Sequence, residues 1–385
     1  MLLLSAAAAG VMACNQAPSP ASSVPPSSSP ATISADTSDP MVSRWPLGLP
    51  AVIVHRQDGL MAVGEGGPRF IIPFPDSVAT APDPSAASSY LDVAASDNGR
   101  YLAYRFWGTD VTVCSMEDGR TEGTAQAEPR DEIEGVSDDA RYVFLVDRGK
   151  EPGISGQRPP ANEPVAVADT RTGARQEAGP VEALLVGADR SLGLVRWSPH
   201  HQAFLLQIVA SPCAVYLYDP IKEALTLVSG IDSFRGVSDT GVIVGGLGSR
   251  RLPGGGIDFG RPVVWDDGTP FPVKYDYGSW DYGVAISPDG TTLVFDVVSD
   301  NDGEVLGWQV YRRKDGMWRS DSALYGHPVN YVNLIGISED NRLAGGVSSG
   351  GGLLQELRLS GGIARSAERP LGGMVRLERS QSCSR

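Results

Sequence analysis

Lys274-Tyr275-Asp276-Tyr277-Gly278-Ser279-Trp280-Asp281-Tyr282-Gly283 gathers four aromatic rings and two carboxylates into one short stretch of a 385-residue chain. Rings beside carboxylates suit a sugar, or a cationic or peptidic group held by cation–π contacts and charge-assisted hydrogen bonds. The structural alternative is that Trp280 and the tyrosines only pack between neighbouring elements. Residue types alone leave both open.

Other patterns carry less chemistry. Gly236-Val237-Ser238-Asp239-Thr240 begins like a nucleophile elbow, but Thr240 stands where the closing Gly is needed, and no strand-to-helix change follows. Gly149-Lys150-Glu151 lacks the spaced Gly and the Ser/Thr of a phosphate loop. In Asp300-Asn301-Asp302-Gly303-Glu304, placing Gly303 sixth puts Val298 first and Gln309 twelfth, so the calcium ligand set fails and a solvated acidic loop remains. Four His and four Cys without a CxxC pair give no metal cluster, and no cofactor motif is present. No catalytic residue is assigned.

What must position these residues is a repeat. Ala285-Ile286-Ser287-Pro288-Asp289-Gly290 runs into the strand-like Thr292-Leu293-Val294-Phe295. Variants of this box stand at Ala94-Ala95-Ser96-Asp97-Asn98-Gly99, Gly135-Val136-Ser137-Asp138-Asp139, Gly236-Val237-Ser238-Asp239-Thr240-Gly241 and Gly336-Ile337-Ser338-Glu339-Asp340-Asn341. Ser238, Ser287 and Ser338 lie 49 and 51 residues apart, a repeat-protein period. Asp-Gly and Asn-Gly supply the left-handed backbone a tight turn needs, while Ser and Asp side chains bond nearby backbone groups. A feature present in every unit reads as a structural turn. Between 180 and 230 the box falls either on Gly187-Ala188-Asp189-Arg190, which keeps the period, or on Trp197-Ser198-Pro199-His200-His201, which keeps the chemistry.

A second apolar strand ending in a polar turn follows each box, as in Pro262-Val263-Val264-Trp265 before Asp267-Gly268, so each unit holds about four strands. The Ser-Pro-Asp-Gly box and its strand resemble the TolB-type and WD40-like β-propeller repeats of bacterial envelope proteins. The stretch from Gly236 to Phe295 also resembles the HAF repeat. The resemblance implies an all-β fold, a β-propeller of four-stranded blades over 45–379, with seven blades and six as the alternative. Three strands near Ala51–Phe74 and one at Met374–Glu378 would form a composite closing blade.

In such a fold the segment 274–283 joins one blade's outer strand to the next blade's inner strand. Loops of that kind ring one mouth of the channel. The expected binding residues are therefore Tyr275, Asp276, Tyr277, Trp280, Asp281 and Tyr282, with Arg235, His327 and Tyr331 in the corresponding loops. The second-to-third loops 148–163 and 248–260 should rise on the same face.

The ends of the chain read differently. Residues 1–14 are apolar and small, too short to span a bilayer, and Val11-Met12-Ala13-Cys14 resembles a bacterial lipobox with Cys14 as the lipidated residue. An ordinary signal peptide is the alternative. Residues 15–44 are Pro, Ser, Ala and Thr and read as a disordered tether; 380–385 is a tail. A net charge of −14, from 46 acidic and 32 basic residues, argues against nucleic acid. Cys114 and Cys213 fall in corresponding strands two units apart and read as unbridged buried thiols.

The expectation is a lipid-anchored propeller of the bacterial envelope, on the outer membrane facing the periplasm or surface-exposed. It would bind or assemble an envelope protein or glycan, with the membrane touched only through the lipid. The competing class is a glycan- or peptide-directed hydrolase or lyase working through carboxylates such as Asp276 and Asp281, which would need a set separation between them.

Overall fold

The computed structural model describes residues 52–56, 59–64, 67–73, 91–98, 100–106, 110–147, 164–187, 190–252, 257–274, 284–298, 305–325, 332–337, 342–347, 352–358 and 367–371. They form a three-stranded sheet over 52–73, then six four-stranded antiparallel sheets in chain order over 91–125, 131–177, 191–227, 233–272, 284–325 and 332–371. These are called the first to seventh sheets below. The strand expected at Met374–Glu378 lies outside the described residues.

Packing between sheets makes this a β-propeller. From the second sheet to the seventh, the first strand of each lies beside the first strand of the next. Hydrophobic clusters are shared between consecutive sheets. Phe144, Val146 and Val167 of the third interleave with Trp197, Phe204 and Leu206 of the fourth. Leu205 and Val215 of the fourth meet Phe234 and Ile243 of the fifth, and Val244 and Val264 of the fifth meet Leu293 and Phe295 of the sixth. The second strands therefore face apolar neighbours on both sides. Tyr142–Asp147 and Ala203–Val209 are buried along their whole length, whereas the outer strand Ala174–Glu177 is mostly exposed. This is why their sequences read as unbroken apolar runs rather than alternating ones. One helical turn, α1 (Gly179–Glu182, opened by Pro180), places Val181 in the cluster between the third and fourth sheets.

Among the described residues, a box turn follows the first strand of the second to sixth sheets. Ser137 shows how it closes. Its N–H donates to the Tyr142 carbonyl, its hydroxyl accepts the Tyr142 N–H at 2.8 Å, and it donates to Asp139 at 2.7 Å. Ser96, Ser238 and Ser287 repeat the arrangement with Asn98, Thr240 and Asp289. In the fourth sheet the first strand ends at Ser198, whose hydroxyl meets His201 Nδ1 at 2.8 Å. Of the two alternatives between 180 and 230, the box is therefore Trp197-Ser198-Pro199-His200-His201, with an imidazole where Ser137 and Ser287 have a carboxylate. The turn's fourth residue is left-handed: Gly290 has φ +68°, and Ala140 accepts φ +61° at the same place.

The Gly that opens three of the boxes has its own cause. The first strand carries a β-bulge at Gly135, Gly236 and Gly336, and none where Ala94 or Ala285 opens the box. A Cβ on Gly135 would stand 3.0 Å from Val195 Cγ1 of the neighbouring first strand. At Gly135 a side chain would require Val195 to give way, whereas at Gly236 a Cβ would reach only ordinary contact, 3.4 Å from Ile286 Cγ2.

Candidate functional site

Strand direction gives the propeller two unlike ends. First-to-second and third-to-fourth turns lie at one; second-to-third loops and the connections to the next sheet lie at the other.

At the loop end, only part of the expected constellation falls among the described residues. Arg235 does, on the first strand Ser233–Val237, at the bulge. Its guanidinium carbon stands 3.9 Å from the Phe259 ring centroid. Phe259 belongs to the loop 248–260, which carries its own small ladder pairing Arg250–Arg251 with Ile257–Asp258. Ser249 fastens that loop to the first strand: its hydroxyl bonds Ser233 Oγ at 2.8 Å and the Phe259 carbonyl at 2.8 Å. Asp232 receives the Gly248 N–H at 2.6 Å. On the next sheet, the Tyr311 hydroxyl donates to the carbonyl of Lys274, where the fifth sheet's last strand runs out. Tyr275, Asp276, Tyr277, Trp280, Asp281 and Tyr282 lie outside the described residues, as do His327, Tyr331, Cys14 and the loop 148–163.

At the turn end, box residues from separate sheets meet around the axis. Asp97 of the second sheet reaches the fourth, accepting the Trp197 N–H at 2.9 Å and pairing with Arg196 at 3.1 Å. Asn98 bonds the third sheet's turn twice, its N–H to Asp138 Oδ1 and its side-chain amide to the Asp138 carbonyl, both at 3.0 Å. Between the fifth and sixth sheets, the Asp239 N–H donates to the Pro288 carbonyl at 2.9 Å. A second-to-fourth contact requires a tightly curved array about a narrow axis. Burial, and after it the charge of Asp97, pushes the Asp138 carboxyl up to about 8. Asp239 and Asp139 add to the effect, and the Asn98 N–H opposes it. Asp138 Oδ2 is buried without a hydrogen-bond partner. Among the described residues no group of His, Cys, Asp and Glu has the arrangement to hold a metal ion.

The geometry also answers the nucleophile question. Ser238 is buried, its hydroxyl spent on the Val242 N–H and Thr240. Ser198 is buried as well, and burial followed by the nearby His200 lowers the pKa of its imidazole partner His201. Both are turn closures. Cys114 and Cys213 are buried free thiols, and burial pushes Cys114 up to about 12. The axial meeting of Asp97, Asp138 and Asp239 had no signal in the sequence beyond the recurrence of an acidic residue after the box Ser.

No family model matches the chain, and no curated protein matches it. Solved structures do. TolB from Acinetobacter baumannii aligns at 12% identity and TM-score 0.41 over 84% of this chain and 64% of its own. The tricorn protease aligns at 14% identity and TM-score 0.46 over 72% of this chain and 30% of its own. The β-propeller domain of the Trilobed protease from Pyrococcus furiosus aligns at 12% identity and TM-score 0.43, over 73% and 85%. The chain thus spans less than two thirds of the TolB and tricorn protease chains it matches.

Proposed function

We propose that this propeller is a binding or assembly module of the bacterial envelope, tethered through a lipid on Cys14, that takes a protein or glycan partner at its loop end. One observation carries the reading. Around the fifth sheet that end is built up beyond the blade, with Phe259 laid on Arg235 and a hydrogen-bonded ladder holding the loop in place. A propeller that only needed closed blades would have no use for such an extension. Lys274 lies at that end, and in the sequence the stretch with Tyr275, Tyr277, Trp280 and Tyr282 beside Asp276 and Asp281 follows it directly. Turn residues shared by every sheet maintain geometry, whereas a set present in one sheet is free to specialise.

The test is Trp280→Ala, with melting temperature and capture of a partner from envelope extract measured on the same protein. A binding role predicts loss of about 2 kcal/mol or more in affinity and little change in melting. A packing role predicts the reverse, a loss of about 3–5 kcal/mol in stability with affinity per folded molecule unchanged. That second outcome overturns the assignment.

A further inference from the structure

Asp138 holds an unusual position for a carboxyl group. Oδ1 accepts one N–H, from Asn98 of the second sheet, while Oδ2 is buried without a partner. An ionised carboxylate has several acceptor sites to satisfy, and burying one without a donor is costly. Among the described residues, the charged groups acting on it are acidic: Asp97 on the second sheet's turn, Asp239 on the fifth sheet's, and Asp139 on its own. Two arginines pair with the surrounding acids. Arg196 of the fourth sheet pairs with Asp97, and Arg171 with Asp139 at 3.4 Å. His200 and His201 of the fourth sheet's turn stand against Gly241 of the fifth sheet's turn. A proton on Oδ2 cancels the charge, and with it the repulsion from the surrounding carboxylates and the heavier cost of burying an unpaired anion.

We propose that Asp138 is a proton-dependent latch: while its carboxyl is neutral the turns of the second, third and fifth sheets close on the axis, and when it ionises they separate and this end of the propeller loosens. The proton passes to solvent, and the group left behind adds a negative charge between Asp97 and Asp239. The repulsion acts on ties between the second and fourth sheets, the Asp97 bonds to the Trp197 N–H and to Arg196. This mechanism is independent of the loop end and of whatever binds there.

Two measurements on the full chain decide it. Infrared difference spectra of wild type against Asp138→Asn should show a protonated carboxylic acid at pH 7, titrating away near pH 8. Protection of the Trp197 amide against hydrogen exchange should fall roughly tenfold further between about pH 6 and pH 9 than the chemistry of exchange itself requires, and Asp138→Asn should abolish the extra loss. An acid band that vanishes near pH 4, or Trp197 protection that follows the same course in both proteins, overturns the proposal. If the variant fails to fold, the titration of the wild-type band alone decides.

Discussion

Asp97 Oδ2 accepts the backbone N–H of Trp197 at 2.9 Å, a bond between residues 100 apart that ties the second sheet to the fourth. The same carboxylate pairs with Arg196, so its two oxygens hold two groups of one strand. Asp97→Ala leaves a half-buried amide and a guanidinium without their acceptor. It should cost about 1.5–3 kcal/mol, read from denaturant unfolding. Asp97→Asn keeps an acceptor for the amide and should recover at least half of that loss. Equal losses in the two variants would mean that the charge, and not the hydrogen bond to Trp197, holds the sheets together.

Two glycines separate backbone strain from crowding. Gly290 (φ +68°) and Gly316 (φ +73°) share a left-handed backbone, but a Cβ on Gly290 would stand 2.5 Å from Thr240 Oγ1, whereas one on Gly316 meets nothing within 4 Å. Gly316→Ala should cost about 1–2 kcal/mol, the backbone cost alone. Gly290→Ala should cost about 1–3 kcal/mol more by forcing the fifth and sixth turns apart. Melting curves of the pair check the difference.

Stability should depend on pH through Asp138. Its folded pKa, about 8, lies above the ordinary carboxylate value of 3.8, so the folded chain holds a proton that the unfolded chain releases. The stabilisation is complete below about pH 4, declines as pH rises through the interval between the two values, and is gone above about pH 8. The difference in unfolding free energy between wild type and Asp138→Asn should follow that course, with the variant gaining on wild type as pH rises. A flat difference from pH 4 to 9 would show that Asp138 ionises like an exposed carboxylate.

Anchoring is testable in the same direct way. Each buried acyl CH₂ contributes about 0.8 kcal/mol, so a multiply acylated Cys14 binds membranes firmly while a body of net charge −14 does not. Cys14→Ser should move the protein from the membrane fraction to the soluble fraction. Unchanged fractionation would remove Cys14 as the anchor.

The repeat was legible because each box closes on itself. Ser287 bonds Asp289 and Thr292 within a few residues, so residue types record the turn. The third strands were legible for the same reason, as in Pro262-Val263-Val264-Trp265 running into Asp267-Gly268. The box near 200 stayed ambiguous because His201 fills the carboxylate's place. What could not be read depends on distant partners. Nothing local says that Asp97 meets Trp197, that Asp138 is enclosed by Asp97 and Asp239, or that Phe259 lies on Arg235. The Gly opening three boxes was visible in the sequence, but the β-bulge it accompanies is a matter of pairing with the second strand, and the contact of Gly135 with Val195 belongs to the neighbouring sheet.

Shared clusters have a consequence for synthesis. Phe144 and Val146 are covered by Phe204 and Leu206, which leave the ribosome some sixty residues later. Leu205 and Val215 then wait for Phe234 and Ile243. At every stage the growing chain presents one uncovered apolar sheet face, and finishing a sheet exposes the next instead of ending the problem. Such a face invites pairing with other nascent chains. A chain truncated at any of these sheet boundaries therefore ends on a surface built to be covered.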